Sequence, residues 1–309
     1  MHHTLDASTT VHRWDNRLPP RLTIAPGDRL TLEMLDASGG QVRPGMSSAE
    51  FAGIDKTRIH ALTGPVAVEG AKPGDRLEVK ILDYAHRGWA WTSIIPGMGL
   101  LPEDFPDHFL FHWELEDNCT RSMPGVVLDL HPFCGIIGVQ RDEAGEFRTR
   151  APGIWGGNMD VKHLTAGAEL FLPVLVPGAG LCAGDCHAAQ GDGEVSINGM
   201  EAPMQVTFEI ELMERDRPTR PCAIVPPELT PPRYRTKPWL AFIESAEDAR
   251  EACKAVVRRV IDFLTHRLEI SPEMAYVLCS VVLDLKVSQL VNAPTTTITG
   301  YLPTAMFEV

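Results

Sequence analysis

The chain has 309 residues, 44% of them hydrophobic, with a formal charge of -13 from 41 acidic and 28 basic side chains. That size and composition suffice for a packed core, while the acidic balance excludes nucleic acid and an anionic membrane as main partners, since both demand a basic footprint. No stretch approaches the roughly 20 apolar residues that cross a bilayer, and no signal peptide is visible at the N-terminus.

With 26 glycines and 25 prolines spread along most of the chain, long helices find little room before about residue 240. Pro26-Gly27-Asp28-Arg29-Leu30 and Pro73-Gly74-Asp75-Arg76-Leu77 are echoes of one turn. Each launches an alternating apolar/polar run, Thr31 to Asp36 and Glu78 to Asp83, the mark of a half-buried strand. Residues 164–182 hold a strand apolar on both faces, interrupted at Pro173. Val206, Phe208, Ile210 and Leu212 alternate with Thr207, Glu209 and Glu211, as in an antiparallel strand with one solvated face.

The Pro/Arg-rich stretch 217–238 reads as an extended connection. Beyond it, Ser245 is placed to cap a helix with Asp248 at its third position, and Val256, Val257, Val260, Ile261, Leu264 and Leu268 recur at helical spacing. Ser271-Pro272-Glu273 opens a second helix that the pattern carries to Leu290, and Thr295 to Val309 returns to strand. The predicted class is α+β, mainly β: a sandwich- or barrel-like N-terminal and central part, with helices concentrated in the C-terminal third. It divides into a β-rich catalytic region, 1–216, and a connection plus α/β region, 217–309, packing back on it.

The chemistry concentrates in Gly184-Asp185-Cys186-His187-Ala188-Ala189-Gln190-Gly191-Asp192-Gly193-Glu194, which carries acidic and imidazole groups without one Lys or Arg. Such a segment calls for a divalent cation, a substrate amine or shared protons. On a strand, Asp185 and His187 share one face, and the Gly191-Asp192-Gly193 turn can fold Glu194 over it. The bland alternative makes Asp185 and Asp192 turn residues and His187 a satisfied polar side chain. Gly156-Gly157-Asn158-Met159-Asp160 is a second cluster, where Asp160 is a ligand or base, or else a cap with Asn158. Asp36 ends the first echoed strand and is either a turn carboxylate or a ligand, while His12 and His131 are read as structural. Seven scattered cysteines without a C-x-x-C pair read as reduced thiols of a cytoplasmic protein. Cys134 and Cys186 could be nucleophiles, but no predicted helix N-terminus or basic neighbour activates either one. The signatures of serine hydrolases, P-loops, dinucleotide folds and zincins are all missing.

These residues resemble the acetamidase/formamidase family. The likeness runs through Leu35-Asp36-Ala37-Ser38-Gly39-Gly40-Gln41, Gly64 to Ala71 with Pro73-Gly74-Asp75, Pro132 to Val139, the two clusters above, Ser271 to Tyr276 and Leu285 to Gln289, covering essentially the whole chain in order. The resemblance implies a hydrolase of small linear amides, a mainly β fold with an α-containing C-terminal part, and a homo-oligomer. A γ-lactam hydrolase or a non-catalytic amide-binding protein on the same fold are the alternatives. Amide hydrolysis requires an activated water, an oxyanion stabiliser and a proton donor. A divalent metal, zinc before calcium, held by Asp36, Asp185 and His187 would supply the first two. Glu194, with Asp160 and His187, would then handle protons. Substrate would meet Asn158, Gly157, Gln190 and Gly135, with backbone N–H groups of Gly135 or Gly156-Gly157 at the oxyanion. Without a metal, Cys186 or Cys134 would have to serve as nucleophile.

Overall fold

The computed structural model describes residues 1–8, 10–213, 220–226, 228–289, 294 and 296–308. The two echoed turns do launch strands, Asp28–Met34 and Arg76–His86. Both pair with the same partner, Met204–Met213, one on each side and both antiparallel. Met204–Met213 is the strand whose alternation the sequence shows, and Val206, Phe208 and Ile210 are fully buried. Glu169–Pro173 adds to the far side of Arg76–His86. His2–Leu5 and Cys222–Ile224 complete this six-stranded sheet. Pro173, which lacks the N–H that a ladder requires, closes its strand.

A second six-stranded sheet has Leu181–His187 at its centre, between Phe133–Gly138 and Leu62–Val68. Gly156–Asn158 lies beyond Phe133–Gly138, and Thr10–Val11 and Leu22–Ile24 pair with Leu62–Val68. All seven residues of Leu181–His187 are buried. The period of two then sorts their side chains. Cys186 faces the first sheet, where its Sγ lies 3.3 Å from Met34 Sδ and 3.7 Å from Cys134 Sγ. Tyr84, on the first sheet, donates its hydroxyl to Leu164 O and approaches Cys134 Sγ at 3.8 Å. Residues of both sheets belong to one continuous apolar core. Asp185 and His187 are left on the opposite face.

The C-terminal part is a three-stranded sheet, Trp239–Ala246, Thr296–Pro303 and Asp284–Gln289, packed on the helices Ala249–Leu268 and Pro272–Val282. Two boundaries differ from the sequence reading. Ser245 lies inside the 239–246 strand, paired with Thr297, and Asp248 caps the helix itself by accepting from Arg250 N and Glu251 N. The second helix stops at Val282 rather than near Leu290. There Asp284 is held by Lys162 and by the Asp192 N–H, and the chain leaves as the 284–289 strand. Leu290, Thr295 and Val309, bounds expected for these last elements, lie outside the described residues. Tyr276 anchors the helix to the loop before residue 101, accepting from Leu100 N and Leu101 N and stacking on Phe105 at 4.4 Å.

His131, read as structural, is half-buried and donates its backbone N–H to Ala188 O. Burial first, then the positive charges of His163, Lys162 and Arg235, push its pKa down to about 4. At this side chain the unfolded state therefore binds more proton than the folded one between that value and the ordinary imidazole pKa of about 6.5, so His131 contributes stability that rises with pH across that window. That contribution is read by difference: the urea midpoint of the wild type less that of His131→Asn is expected to grow from pH 5 to pH 7, and a difference that does not change with pH would contradict it.

Candidate active site

His187 organises the site. Gln190 Nε2 donates to Asp160 O at 3.1 Å, which fixes the amide orientation, so Gln190 Oε1 accepts the His187 Nδ1 proton at 2.7 Å. The other ring nitrogen, Nε2, faces carboxylates alone: Glu201 Oε1 at 3.1 Å, Asp185 Oδ1 at 3.9 Å and Glu194 Oε1 at 4.0 Å. None of these is a hydrogen bond, and His187 Nε2, Asp160 Oδ1 and Glu201 Oε2 are buried without a partner. Orphaned buried polar atoms are costly and rare. Three in one cluster, with an imidazole lone pair among carboxylates, form a donor set that a divalent cation satisfies. Two triads of ligand atoms lie within 4.8 Å of one another, Asp160–Asp185–His187 and His187–Glu194–Glu201.

The backbone is built around this space. Asp160, Asp185 and Glu194 have φ of +49°, +54° and +44°, a region that costs non-glycine residues of order 1–3 kcal/mol. Ile197, β-branched and at φ +102°, is the most strained of the neighbours. Gly135 stands opposite Asp185 on the adjacent strand, and a Cβ there would lie 2.8 Å from Asp160 Oδ1, 2.8 Å from Asp185 O and 3.1 Å from His187 Nε2. Glycine keeps the cradle open.

The carboxyls are pushed apart in pKa. Burial, reinforced by Asp185 and opposed by His187, raises Asp160 to about 7 and Glu201 to about 8. Burial also raises Glu194 well above its ordinary range, with Asp160 the next contributor. Asp185 is the exception: burial works against its charge, yet His60 and His187 carry it down to about 2. Burial similarly disfavours charge on His187, and the Glu201 and Asp185 carboxylates outweigh it, holding the ring well above the usual imidazole range. Three of the four carboxyls thus keep their protons for want of a counter-charge, and a bound cation would let them ionise together.

The cluster lies at the buried end of a cavity of about 550 Å³ to which Asp160, Asp185, Glu194 and Glu201 contribute. Phe51, Ile54, Ile59, Trp91, Ile95 and Ile197 supply apolar wall, and Asn158, Asn198 and His60 supply polar wall. Asn158 Oδ1 is buried and unpartnered, while its Nδ2 donates to Arg150 O at 3.2 Å.

Several expected residues stand elsewhere. Asp36 is in neither triad. Its carboxylate accepts from Ser38 N, Ser38 Oγ, Gly40 N and Trp91 Nε1, so its oxygens close a turn and hold the Trp91 indole against the cavity. Gln190 uses both ends of its amide on His187 and Asp160, which makes it a positioning residue, not a substrate contact. Gly157 does not line the cavity; it sits at φ +87° on the 156–158 strand, where a Cβ would meet Trp155 Nε1 at 2.8 Å. The Gly156 N–H is bonded to Gly153 O and so is not free for an oxyanion. Cys134 and Cys186 face the inter-sheet core, away from the cavity, and Cys186 is held well above the thiol range by Cys134 and burial.

Two residues escaped the sequence reading. Glu201 is 1% exposed, and its segment runs antiparallel beside His187, with Ala188 N donating to Met200 O and Ala202 N to Cys186 O. His60 lines the cavity at φ +55° and acts on Asp185 by charge.

Comparison with known proteins gives this site a family. The sequence pattern of the acetamidase/formamidase family matches residues 2–144 and 139–309. A formamidase of Methylophilus methylotrophus is 26% identical over 366 residues, covering 96% of this chain and 89% of the relative. Among solved structures, a gamma lactamase from Delftia acidovorans superposes with a TM-score of 0.89 at 26% identity, covering 100% of this chain and 94% of that one. An acetamidase from Bacillus halodurans gives 0.70 at 30% identity, covering 97% of each chain. The chain belongs to the acetamidase/formamidase family, enzymes that hydrolyse carbon–nitrogen bonds other than peptide bonds.

Proposed function

We propose that this amidohydrolase cleaves linear amides at the His187 cluster with the help of one divalent metal ion held by Asp185, His187 and Glu201. The observation that carries the reading is the bare Nε2 of His187 facing carboxylates at the buried end of the cavity. An imidazole nitrogen with carboxylate oxygens is a zinc-type donor set, whereas calcium takes oxygen ligands throughout. Bound there, the ion would act as Lewis acid on the carbonyl and lower the pKa of water.

The chain's own groups do the rest. Gln190 fixes the His187 tautomer so that Nε2 stays available. Glu194, side-chain exposed by 22% towards the cavity, is raised in pKa by burial and Asp160; in its ionised form, which a cation beside it would favour, it takes the proton from the attacking water. It then returns that proton to the amide nitrogen as the C–N bond breaks, releasing ammonia and a carboxylate. Asp160, raised to about 7, is protonated in part at neutral pH, and in that form it lowers the negative charge beside Glu194 and can donate a hydrogen bond to the carbonyl oxygen as charge develops there. Asn158 offers a further polar contact for the amide. The Trp91 indole, held by Asp36, closes the wall behind it.

The test is ammonia release from formamide, acetamide, propionamide and a γ-lactam. Turnover of the linear amides is expected to exceed that of the lactam. Turnover of the lactam alone would move the assignment to cyclic amides, and binding without turnover of any amide would contradict it. Self-association belongs to the same proposal and rests on the family resemblance. The native mass is expected to be a multiple of 34.0 kDa, and a monomer would contradict it.

A further inference from the structure

The cavity is larger than a one- or two-carbon amide requires: about 550 Å³ falls in the range that encloses ligands of drug size. Its exposed end is also basic, in a chain that is acidic overall. Arg13, Lys56, Arg148 and Arg150 line it, and among the described residues none makes an ion pair. Several arginines elsewhere on the surface are matched, Arg17 to Asp15, Arg43 to Glu50 and Arg258 to Asp104, while among the described residues Arg21, Arg58 and Arg267 are not; what sets the mouth apart is that four unmatched cations line one cavity. Arg13 and Arg148 moreover sit directly opposite each other on a two-stranded antiparallel ladder. Like charges in that register destabilise a strand pair. His12, beside them, is held below the ordinary imidazole range by burial first and then by Arg58 and Arg13. The mouth therefore carries unneutralised positive charge, and the buried end carries the carboxylate–histidine cluster. Between them lies apolar wall from Phe51, Ile54 and Trp91.

We propose that the substrate class is a linear amide whose acyl chain ends in a carboxylate, received by Arg13, Arg148 and Arg150 while the amide group lies at His187. This rests on the amidohydrolase reading above and names its substrate. The reaction consumes one water: a C–O bond forms, the C–N bond breaks, and the nitrogen leaves as ammonia with the proton passed on by Glu194, giving a dicarboxylate. The anion lies between the opposed arginines, which removes the repulsion the free protein tolerates.

The experiment compares glutaric acid monoamide with pentanamide, which share the amide and chain length and differ in a carboxylate for a methyl. The wild type is expected to favour the anionic amide by about tenfold or more in kcat/KM, the scale of a charge-assisted contact. Arg148→Gln/Arg150→Gln should bring that ratio towards one through KM, and added salt should erode it in the wild type. Equal or better use of pentanamide by the wild type, or a ratio unmoved by the double variant, overturns the proposal and leaves the amidase standing. Calorimetry of both amides on chelator-treated protein reads binding without turnover. Preferential binding of the anionic amide, lost in the double variant, supports this assignment even if no amide is hydrolysed, an outcome that sinks the amidase reading alone. A double variant that changes only its association state, with the ratio intact, assigns the arginines to a second copy of the chain and overturns the substrate proposal.

Discussion

Glu194→Gln is expected to lower kcat on a linear amide by about 10²–10⁴-fold, the usual contribution of a general acid–base. The substitution keeps the side chain's size but removes its ability to carry a proton. Glu194 is the carboxylate best placed for that task. It lines the cavity, lies 4.0 Å from His187 Nε2, and is raised in pKa by burial and by Asp160. It sits at φ +44°, after Gly193 at φ +114°, in the turn that carries the side chain back over the strand. Metal content and melting temperature should stay close to wild type, so the loss reads as chemistry and not as unfolding. Full turnover by Glu194→Gln with metal bound would show that another group moves the proton.

Gly135→Ala should be nearly as damaging, for a steric reason. The glycine has no positive φ to protect, so the backbone itself tolerates alanine. The added methyl, however, would lie 2.8 Å from the backbone oxygen of Asp185 and from Asp160 Oδ1. The strand it occupies is paired on both sides, with Gly156–Asn158 and Leu181–His187, so it has no direction in which to retreat. Overpacking of this kind costs about 1–3 kcal/mol. Displacing Asp160 and His187 should also weaken metal affinity by about 10–100-fold, the scale seen when a ligand's support is altered. Gly53→Ala is the control: its Cβ would meet only Glu50 O at 3.4 Å, outside any positive φ. Wild-type metal affinity in Gly135→Ala would mean that the cradle is not where the ion sits.

Much of this was legible in the sequence where the signal is local. The paired Pro-Gly turns mark the strands flanking Met204–Met213, because turn chemistry and alternation reinforce each other there. Asp185 and His187 could be placed on one face because strand periodicity is two, and the structure brings both to the cluster. The failures are long-range or competitive. Glu201 carries no local mark; it reaches His187 only because the 200–202 segment runs back beside 186–188. Asp36 looks like a ligand by type, yet the following Ala-Ser-Gly-Gly run is turn chemistry, and local N–H and hydroxyl donors take its oxygens. The helix expected to reach Leu290 ends at Val282 because Asp284 is bound by Lys162 and Asp192, partners distant in sequence. Trp239–Ala246 alternates as a strand, and Ser245, a capping residue by type, continues it opposite Thr297.

Dependence of hydrolysis on a divalent ion at His187 is open to direct measurement. The most direct measurement is metal analysis of the purified protein together with ammonia release before chelation, after it, and after zinc is restored, in the wild type and in His187→Ala. Zinc is expected in proportion to protein, with activity that falls on its removal and returns on its addition, and neither zinc nor activity in His187→Ala. Undiminished ammonia release from wild-type protein shown by analysis to be metal-free would contradict that dependence.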